Sequence, residues 1–232
     1  NQKVDISIIE VGLGGRLDST NIIHPELAII TNISNDHANL LGNNIKKIAK
    51  EKGGIIKNNI SVIIGRKQNE IKSQFQNIAN KKKSTLQYAA NHNFISGLKG
   101  NYQKENINTV VSAIKVMQKK KWKISNENIK NGLLKTIQNT GLLGRWQILG
   151  RHPLIICDTG HNEEGIKMIF KQIQKTQYKN LHIVFGVVID KDLDSILYQL
   201  PKNATYYFCQ PNIEKGLNPK ILQVSARKKG LL

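Results

Sequence analysis

The sequence is poor in cysteine, with two in 232 residues. Cys157 and Cys209 each end or follow an apolar run that resembles a strand, and they lie 52 positions apart. That separation fits neither a metal-ligand spacing nor a disulfide framework. We therefore expect two buried thiols in a protein of a reducing cytoplasm.

The sequence also lacks a long apolar run. No stretch reaches the roughly 20 residues that a membrane helix needs, and the first residues, NQKVDISIIEV, show neither an initiator methionine nor a signal-peptide pattern. We expect a soluble cytoplasmic protein with no membrane partner.

Acidic residues are scarce beside basic ones, 16 against 35, which gives a net charge of +19. Such a charge suggests a polyanionic partner such as nucleic acid. However, only five of the basic residues are arginine and the aromatic content is 6%, whereas base reading favours arginine and single-strand binding uses aromatic side chains. Lysine, asparagine and isoleucine, whose codons can be A/T only, make up 90 residues, so base composition accounts for the charge. We expect solvated lysines and no nucleic-acid partner; a basic nucleic-acid-binding module is the alternative from another class.

Short apolar runs alternate with segments of helical periodicity in the first part of the chain. The runs at residues 4–11, 27–33 and 60–64 predict buried parallel strands. Apolar residues then recur at three-and-four spacing around Ile48, Phe75 and Val111, which predicts amphipathic helices. A further short helix is predicted near residues 129–137, with Ser125 or Asn126 as its cap. We expect an α/β domain over residues 1–143.

The rest of the chain repeats the alternation in a smaller unit. The segment 139–143 carries no periodicity, and we place the domain boundary after it. Predicted strands and helices then alternate at residues 154–157, 163–175, 181–188, 193–200, 205–209 and 219–228. This order predicts a second α/β domain over residues 144–232, with a parallel, Rossmann-like sheet.

A glycine-rich turn follows the first predicted strand, in the segment EVGLGGRLDSTN. A dinucleotide fingerprint would need glycine in place of Leu17, so that interpretation fails on spacing. What remains is Glu10 at the carboxyl end of a strand, where open α/β sheets bind ligands. A glutamate in that position can also be a simple cap or an ion-pair partner.

A histidine follows the next predicted strand in the same way, within Asn35-Asp36-His37. Two parallel strands would bring Glu10 and His37 to one edge of the sheet, where a carboxylate and an imidazole can hold a divalent cation. A lone histidine at a strand end is more often structural.

Lys52 falls on the apolar face of a predicted helix. It lies seven positions after Ile45 and continues the stripe of Ile48 and Ala49. Burial disfavours the charged form of an amine, which suits a reactive lysine; the alternative is an ammonium group that reaches solvent from the helix end.

Five motifs in order, EVGLGGRLDSTN, NDHANLLG, IAKEKGGIIK, GRWQ and DTGHN, resemble the folylpolyglutamate synthase and dihydrofolate synthase branch of the Mur ligase superfamily. The resemblance covers nearly the whole chain. It implies a P-loop-NTPase-like Mur ligase central domain, present in part, followed by a smaller Rossmann-like α/β Mur ligase C-terminal domain.

The resemblance also implies roles for single residues. Glu10 and His37 would be magnesium ligands, and Lys52 would be a catalytic lysine that joins the metal site as a carbamate. Leu17, Asp18 and Ser19 would contact the pteroate or folate substrate, with Ser19 where the family usually has alanine.

The family's ATP contacts have counterparts as well. Asn106 resembles the adenine-side asparagine, although Tyr102-Gln103 replaces the commoner histidine-glutamine pair. Arg145 and Asp158 resemble the phosphate and ribose contacts, and His161 lies in the turn that closes over the reacting groups. We expect Arg145, Asp158 and His161 to face the crevice between the domains.

The implied function is an ATP-dependent ligase that adds L-glutamate to dihydropteroate, tetrahydrofolate or both, through an acyl phosphate. It implies Mg²⁺ as cofactor, ATP as co-substrate, other small molecules as the only partners, and a monomer when complete. The alternatives are another Mur-type amino-acid ligase and a catalytically inactive remnant.

One family motif is missing from the sequence. No G-x-x-x-x-G-K-[ST] phosphate loop occurs, and the chain begins nine residues before Glu10, whereas the family's loop precedes EVGLGG by several tens of residues. We therefore expect a fragment that lacks the N-terminal P-loop and the C-terminal end, inactive as a ligase when alone.

Overall fold

The computed structural model of the protein describes residues 3–34 and 44–231. The chain divides into two compact units. Unit 1 comprises residues 1–97 and 103–135, and unit 2 comprises residues 98–102 and 136–232. The domain boundary that we predicted after residue 143 stays a prediction.

Unit 1 is an α/β unit built on a parallel sheet. Its strands are β1 (Ala28–Ile30), β2 (Val62–Ile64) and β3 (Leu86–Tyr88), hydrogen-bonded in the order β1-β2-β3. Val62 lies opposite both Ala28 and Leu86. The helices of this unit are α1 (Ile45–Gly53), α2 (Asn69–Lys81), α3 (Gln103–Lys119) and α4 (Asn126–Leu134).

Two helices of unit 1, α1 and α4, begin at side-chain caps, and the helices bury the faces that periodicity predicted. The Asn44 side chain accepts a hydrogen bond from the backbone N–H of Lys46 at the start of α1. Ser125 caps α4 in a capping box with Asn128, which confirms one of the two caps that we predicted. Ile48 and Phe75 are almost fully buried in one core with the strands.

The predicted strand at residues 4–11 is wrong. This segment forms no strand, and Val4 and its three isoleucines are exposed, Ile8 by 94%. A strand is stable only when its backbone pairs with a neighbour, and among the described residues no strand pairs with it. The apolar run therefore indicated hydrophobicity but not burial.

Unit 2 holds two small sheets. The strands β4 (Gln147–Arg151) and β5 (Leu154–Cys157) form an antiparallel hairpin, and β6 (His182–Phe185) and β7 (Thr205–Phe208) pair in parallel. Its helices are α5 (Thr136–Thr140), α6 (Glu163–Ile173), α7 (Leu193–Tyr198) and α8 (Pro219–Lys228). Ile196, Leu197 and Leu222 lie in its core.

The parallel order that we predicted holds for β6 and β7 but not for β5. The predicted strand at residues 154–157 exists, yet it pairs with β4, which we did not predict. Two residues connect β4 to β5, and so short a connection permits only an antiparallel pair.

The prediction of two buried thiols is wrong for Cys209, which lies just past the end of β7 and is exposed. Cys157 is half-buried, and both cysteines are free. Within residues 3–34 and 44–231, no helix is long and apolar enough to cross a membrane.

Candidate functional site

The Asp18 side chain holds the glycine-rich loop together by accepting hydrogen bonds from it. Its carboxylate accepts hydrogen bonds from the backbone N–H of Leu13 (2.8 Å) and of Thr20 (3.0 Å), and from the Thr20 hydroxyl (2.6 Å). These bonds, that of the Thr20 hydroxyl foremost, lower the pKa of Asp18 to about 2. Asp18 also caps the short 3-10 helix Ser19–Ile22. The carboxylate is thus ionised at neutral pH and holds the loop in shape.

The loop lies directly against the end of α1. The backbone N–H of Arg16 donates to the Glu51 carbonyl (2.8 Å), and the Arg16 Nε donates to both Glu51 carboxylate oxygens (3.2 and 3.1 Å). A Cβ on Gly54 would lie 2.5 Å from the Arg16 Cα. Glycine at position 54 is therefore required by the close approach of two backbones.

An open cleft of about 680 Å³ lies between this loop and α1. Leu17, Asp18 and Ser19 line it on the loop side, and Lys47 and Lys50 line it on the helix side. We call it the loop–α1 cleft. The three residues predicted to contact a pteroate or folate therefore border one cavity; the contact itself stays a prediction.

Of the three predicted metal ligands, the structure describes Glu10 and Lys52. Glu10 is exposed, Lys52 is half-buried in the last turn of α1, and His37 lies outside the described residues. Residues 3–34 and 44–231 contain no group of three or more histidine, cysteine, aspartate or glutamate side chains that could hold a metal ion. A carboxylate, an imidazole and a carbamate oxygen do suit a divalent cation chemically. Their convergence stays a prediction.

A second cluster surrounds Asp158 in unit 2, after β5. One carboxylate oxygen accepts hydrogen bonds from the Tyr102 hydroxyl and from the backbone N–H of Trp146 (2.8 Å). The other accepts from the backbone N–H of Gly160 (2.9 Å). Asp158 therefore ties the segment 98–102 and the start of β4 to the turn between β5 and α6.

Arg145 and His161 belong to the same cluster. The Arg145 Nη1 donates to the Gly144 carbonyl (3.2 Å) and to the Thr159 hydroxyl. The exposed His161 has its Nδ1 3.1 Å from the Thr159 carbonyl. The structure thus brings the predicted residues Arg145, Asp158 and His161 together around one turn.

The turn leads into α6, and the N-terminus of a helix favours an anion. Asn162 caps this helix by accepting from the backbone N–H of Gly165 (2.8 Å), and Glu163 and Glu164 occupy its first turn. These carboxylates already face the positive end of the helix. The positive charge that this turn offers to a phosphate therefore comes from Arg145, whose hydrogen-bond acceptors are neutral.

Asn106 lies in the first turn of α3, in unit 1, and is exposed. Its Nδ2 donates to the Gln103 Oε1 (2.9 Å), and Gln103 is buried. Tyr102 and Thr159 bond to the predicted residues Asp158 and Arg145, and Glu51 bonds to Arg16 of the glycine-rich loop; none of these three contacts was predicted. The position of Thr159 inside DTGHN could have indicated it, whereas nothing local indicates the other two.

Two family models match the chain: the Mur ligase middle domain at residues 1–140 and the Mur ligase glutamate ligase domain at residues 144–230. A dihydrofolate synthase/folylpolyglutamate synthase of Bacillus subtilis is 31% identical over 225 residues, which are 85% of this chain and 51% of the relative.

Solved structures share the fold. The folylpolyglutamate synthase of Mycobacterium tuberculosis complexed with ADP and AMPPCP superposes with a TM-score of 0.84 at 23% identity, over 98% of this chain and 57% of that chain. A bifunctional folylpolyglutamate synthase/dihydrofolate synthase of Yersinia pestis, complexed with AMPPNP and Mn ion, gives a TM-score of 0.74 at 24% identity, over 94% and 54%.

The chain spans about half the length of these relatives. The predicted fold class, a partial Mur ligase central domain followed by a smaller C-terminal α/β domain, is confirmed. Because the middle-domain model alone matches more than half of the residues and the second model follows it in order, the chain belongs to the Mur ligase family.

Proposed function

We propose that this chain is the ligating part of an enzyme that adds L-glutamate to dihydropteroate, tetrahydrofolate or both at the expense of ATP. The observation that carries the proposal is the Asp158 turn. It fixes the Arg145 guanidinium beside Thr159 and His161 in the segment that matches a glutamate ligase domain. The folate part of the proposal is supported by the relative's name and by the loop–α1 cleft, which Leu17, Asp18 and Ser19 border.

The reaction has two stages. The γ-phosphoryl group of ATP moves to a carboxylate oxygen of the pteroate or folate, and ADP leaves. The amine of L-glutamate then attacks the acyl carbon; the new C–N bond replaces the C–O bond to phosphate, and the amine loses a proton. Phosphoryl transfer needs little covalent help from a protein, so positioning and charge stabilisation dominate catalysis.

This chain's residues have separate tasks in that scheme. Arg145 neutralises phosphate charge, since a guanidinium pairs well with phosphate oxygens, and Asp158 keeps Arg145 in place through Trp146 and the turn. In unit 1, Asn106 contacts the adenine. His161, exposed at the turn, contacts the reacting groups.

A divalent cation completes the proposal, with Mg²⁺ as the physiological metal; the Yersinia pestis relative was solved with Mn ion. Glu10, His37 and a Lys52 carbamate would hold it. The bound metal would supply Lewis-acid charge to the phosphates. Carbon dioxide forms a carbamate with the neutral form of an amine, and Lys52 lies half-buried in the last turn of α1.

The carbamate has a readout of its own. With ¹³C-bicarbonate, the purified protein should show one slowly exchanging carbamate signal by NMR, and Lys52→Gln should remove it. Lys46→Gln, an exposed lysine on the same helix, should retain it. A signal that survives in Lys52→Gln would exclude Lys52 as the modified residue.

We further propose that the complete protein is a cytoplasmic monomer without nucleic-acid or membrane partners, because every proposed substrate is a small diffusible molecule. Light scattering during gel filtration tests the monomer directly. A stable dimer would contradict it.

The test of the function is ADP release by the purified protein that carries this sequence. We expect release to require ATP, a divalent cation, L-glutamate and either dihydropteroate or tetrahydrofolate, and to stop when any one is left out. Activity with a peptidoglycan precursor and another amino acid, but with neither folate compound, would show another Mur-type ligase. Failure to bind ATP at all would show an inactive remnant.

A further inference from the structure

The cations of the loop–α1 cleft that carry no ion pair among the described residues lie on its α1 side, because Arg16 on the loop side pairs with Glu51. Lys47 and Lys50 lie one helical turn apart on α1, so their side chains emerge as neighbours, with Cβ atoms about 5–6 Å apart. Both are exposed, and neither ammonium group has an ion-pair or hydrogen-bond partner among the described residues.

The carboxylates of the same cleft are occupied. Glu51 accepts both of its side-chain bonds from the Arg16 Nε, and Asp18 accepts from Leu13 and Thr20 within the loop. The acidic groups are therefore committed to holding the cleft together, while the two lysines remain available. An anionic ligand fits this arrangement better than a cationic or neutral one.

We infer that Lys47 and Lys50 form a subsite for the carboxylates of an oligo-γ-glutamate tail on a folate substrate. This inference rests on the proposed function, which places the folate at Leu17, Asp18 and Ser19 in the same cleft. Each glutamate added to such a substrate brings one more carboxylate, so the subsite favours substrates with longer tails.

A nucleotide phosphate is the other anion in the reaction. Lys47 and Lys50 share their cleft with Leu17, Asp18 and Ser19, and none of the residues that the proposed function assigns to ATP lines it. The residues that line the cleft therefore favour the tail carboxylates as its ligand. The experiment below also measures nucleotide binding, to distinguish the two anions.

The test compares binding of folate monoglutamate and folate pentaglutamate by fluorescence, in the purified protein and in the double variant Lys47→Gln/Lys50→Gln. We expect the pentaglutamate to bind about tenfold more weakly to the double variant, since an exposed ion pair is worth up to about fivefold in affinity. The monoglutamate and ATP should change by less than about twofold. Raising the salt should erase the preference of the unmodified protein for the longer tail.

Lys46→Gln is the matched control. It removes the same charge from the same helix, but Lys46 lines a neighbouring groove and not this cleft. Equal weakening by Lys46→Gln would show a general charge effect, and weaker binding of ATP alone would assign the lysines to phosphate; either result overturns the subsite. If the unmodified protein binds neither folate, the proposed function itself fails, and the subsite with it.

Discussion

The Tyr102 hydroxyl donates a hydrogen bond to the Asp158 carboxylate across 56 positions of sequence. The same oxygen accepts the backbone N–H of Trp146, so three separate segments of unit 2 meet at one atom. Tyr102 therefore connects the segment 98–102 to the Asp158 turn, because a phenol O–H can donate to a carboxylate.

Removal of that hydroxyl tests its contribution. Tyr102→Phe should lower the free energy of unfolding of unit 2 by about 1.5–3 kcal/mol, since a hydrogen bond to a carboxylate is lost. Circular dichroism melts of the purified chain measure it. Tyr198→Phe is the control, because Tyr198 is 81% exposed and its hydroxyl has no hydrogen-bond partner among the described residues. Equal melting of the two variants would contradict a role for the Tyr102 bond.

The lowered pKa of Asp18 predicts that the stability of the protein depends on pH. Its pKa lies near 2 in the folded loop, below the ordinary 3.8, because the folded state stabilises the carboxylate. A lowered folded-state pKa gives stability that is present above about pH 3.8 and is lost as the pH falls towards about 2. Asp18→Asn should therefore be less stable than the unmodified protein at pH 7, and the difference should shrink across that window.

Unfolding midpoints in urea, measured at several pH values, check this prediction. Asp5→Asn provides the comparison, because Asp5 is exposed and accepts no hydrogen bond among the described residues. Its midpoint should follow that of the unmodified protein at every pH. A constant difference for Asp18→Asn from pH 7 to pH 2 would show that shape rather than charge stabilises the loop.

Elements with a strong local signal could be predicted from the sequence. Helix α8 has the bounds that we predicted, because Asn218 caps it, Pro219 opens it and one apolar stripe runs through it. Strand β4 escaped prediction because it contains Gly150 and weak alternation, and only its pairing with β5 defines it. The run at residues 4–11 failed for the opposite reason, since it is strongly apolar but has no partner strand in the described part of the chain.

The candidate site also has a part that the sequence could predict and a part that it could not. Asp18, Arg145, Asp158 and His161 could be found from motifs, because each lies in a short run of characteristic sequence. The distant contacts could not, because the Tyr102–Asp158 bond spans 56 positions and the Arg16–Glu51 bond, which holds the glycine-rich loop against α1, spans 35. Such pairs form only when the sheet and its helices bring distant segments together.

We predict that any side chain at position 54 clashes with the glycine-rich loop beside the loop–α1 cleft. An alanine there would place its Cβ 2.5 Å from the Arg16 Cα, a backbone atom that cannot turn aside as the end of a flexible side chain could. Gly54→Ala should therefore cost about 1–3 kcal/mol of stability, as overpacking usually does. It should also weaken folate binding, because the loop must move away from α1.

Gly132→Ala is the matched control for this variant. Gly132 lies inside α4, and a Cβ there would meet nothing within 4 Å. Alanine at that position should add about 0.5–1 kcal/mol, because glycine weakens a helix interior. Thermal melts distinguish the two variants by the sign of the shift; a gain of stability in Gly54→Ala would contradict the close approach.

We predict that removal of the Arg145 side chain weakens ATP binding. Its guanidinium is held at the Asp158 turn by the Gly144 carbonyl and the Thr159 hydroxyl, both neutral acceptors, so its charge remains available to a phosphate. Arg145→Ala should raise the KM for ATP about tenfold, the effect of losing one charge-assisted contact of about 1.4 kcal/mol. The KM for L-glutamate and the melting temperature should change little, because Arg145 is partly exposed. Arg151→Ala removes an exposed arginine from the end of β4 and should leave ATP kinetics unchanged. If both variants raise the KM for ATP equally, the effect comes from the net charge of unit 2, and Arg145 has no specific contact with the nucleotide.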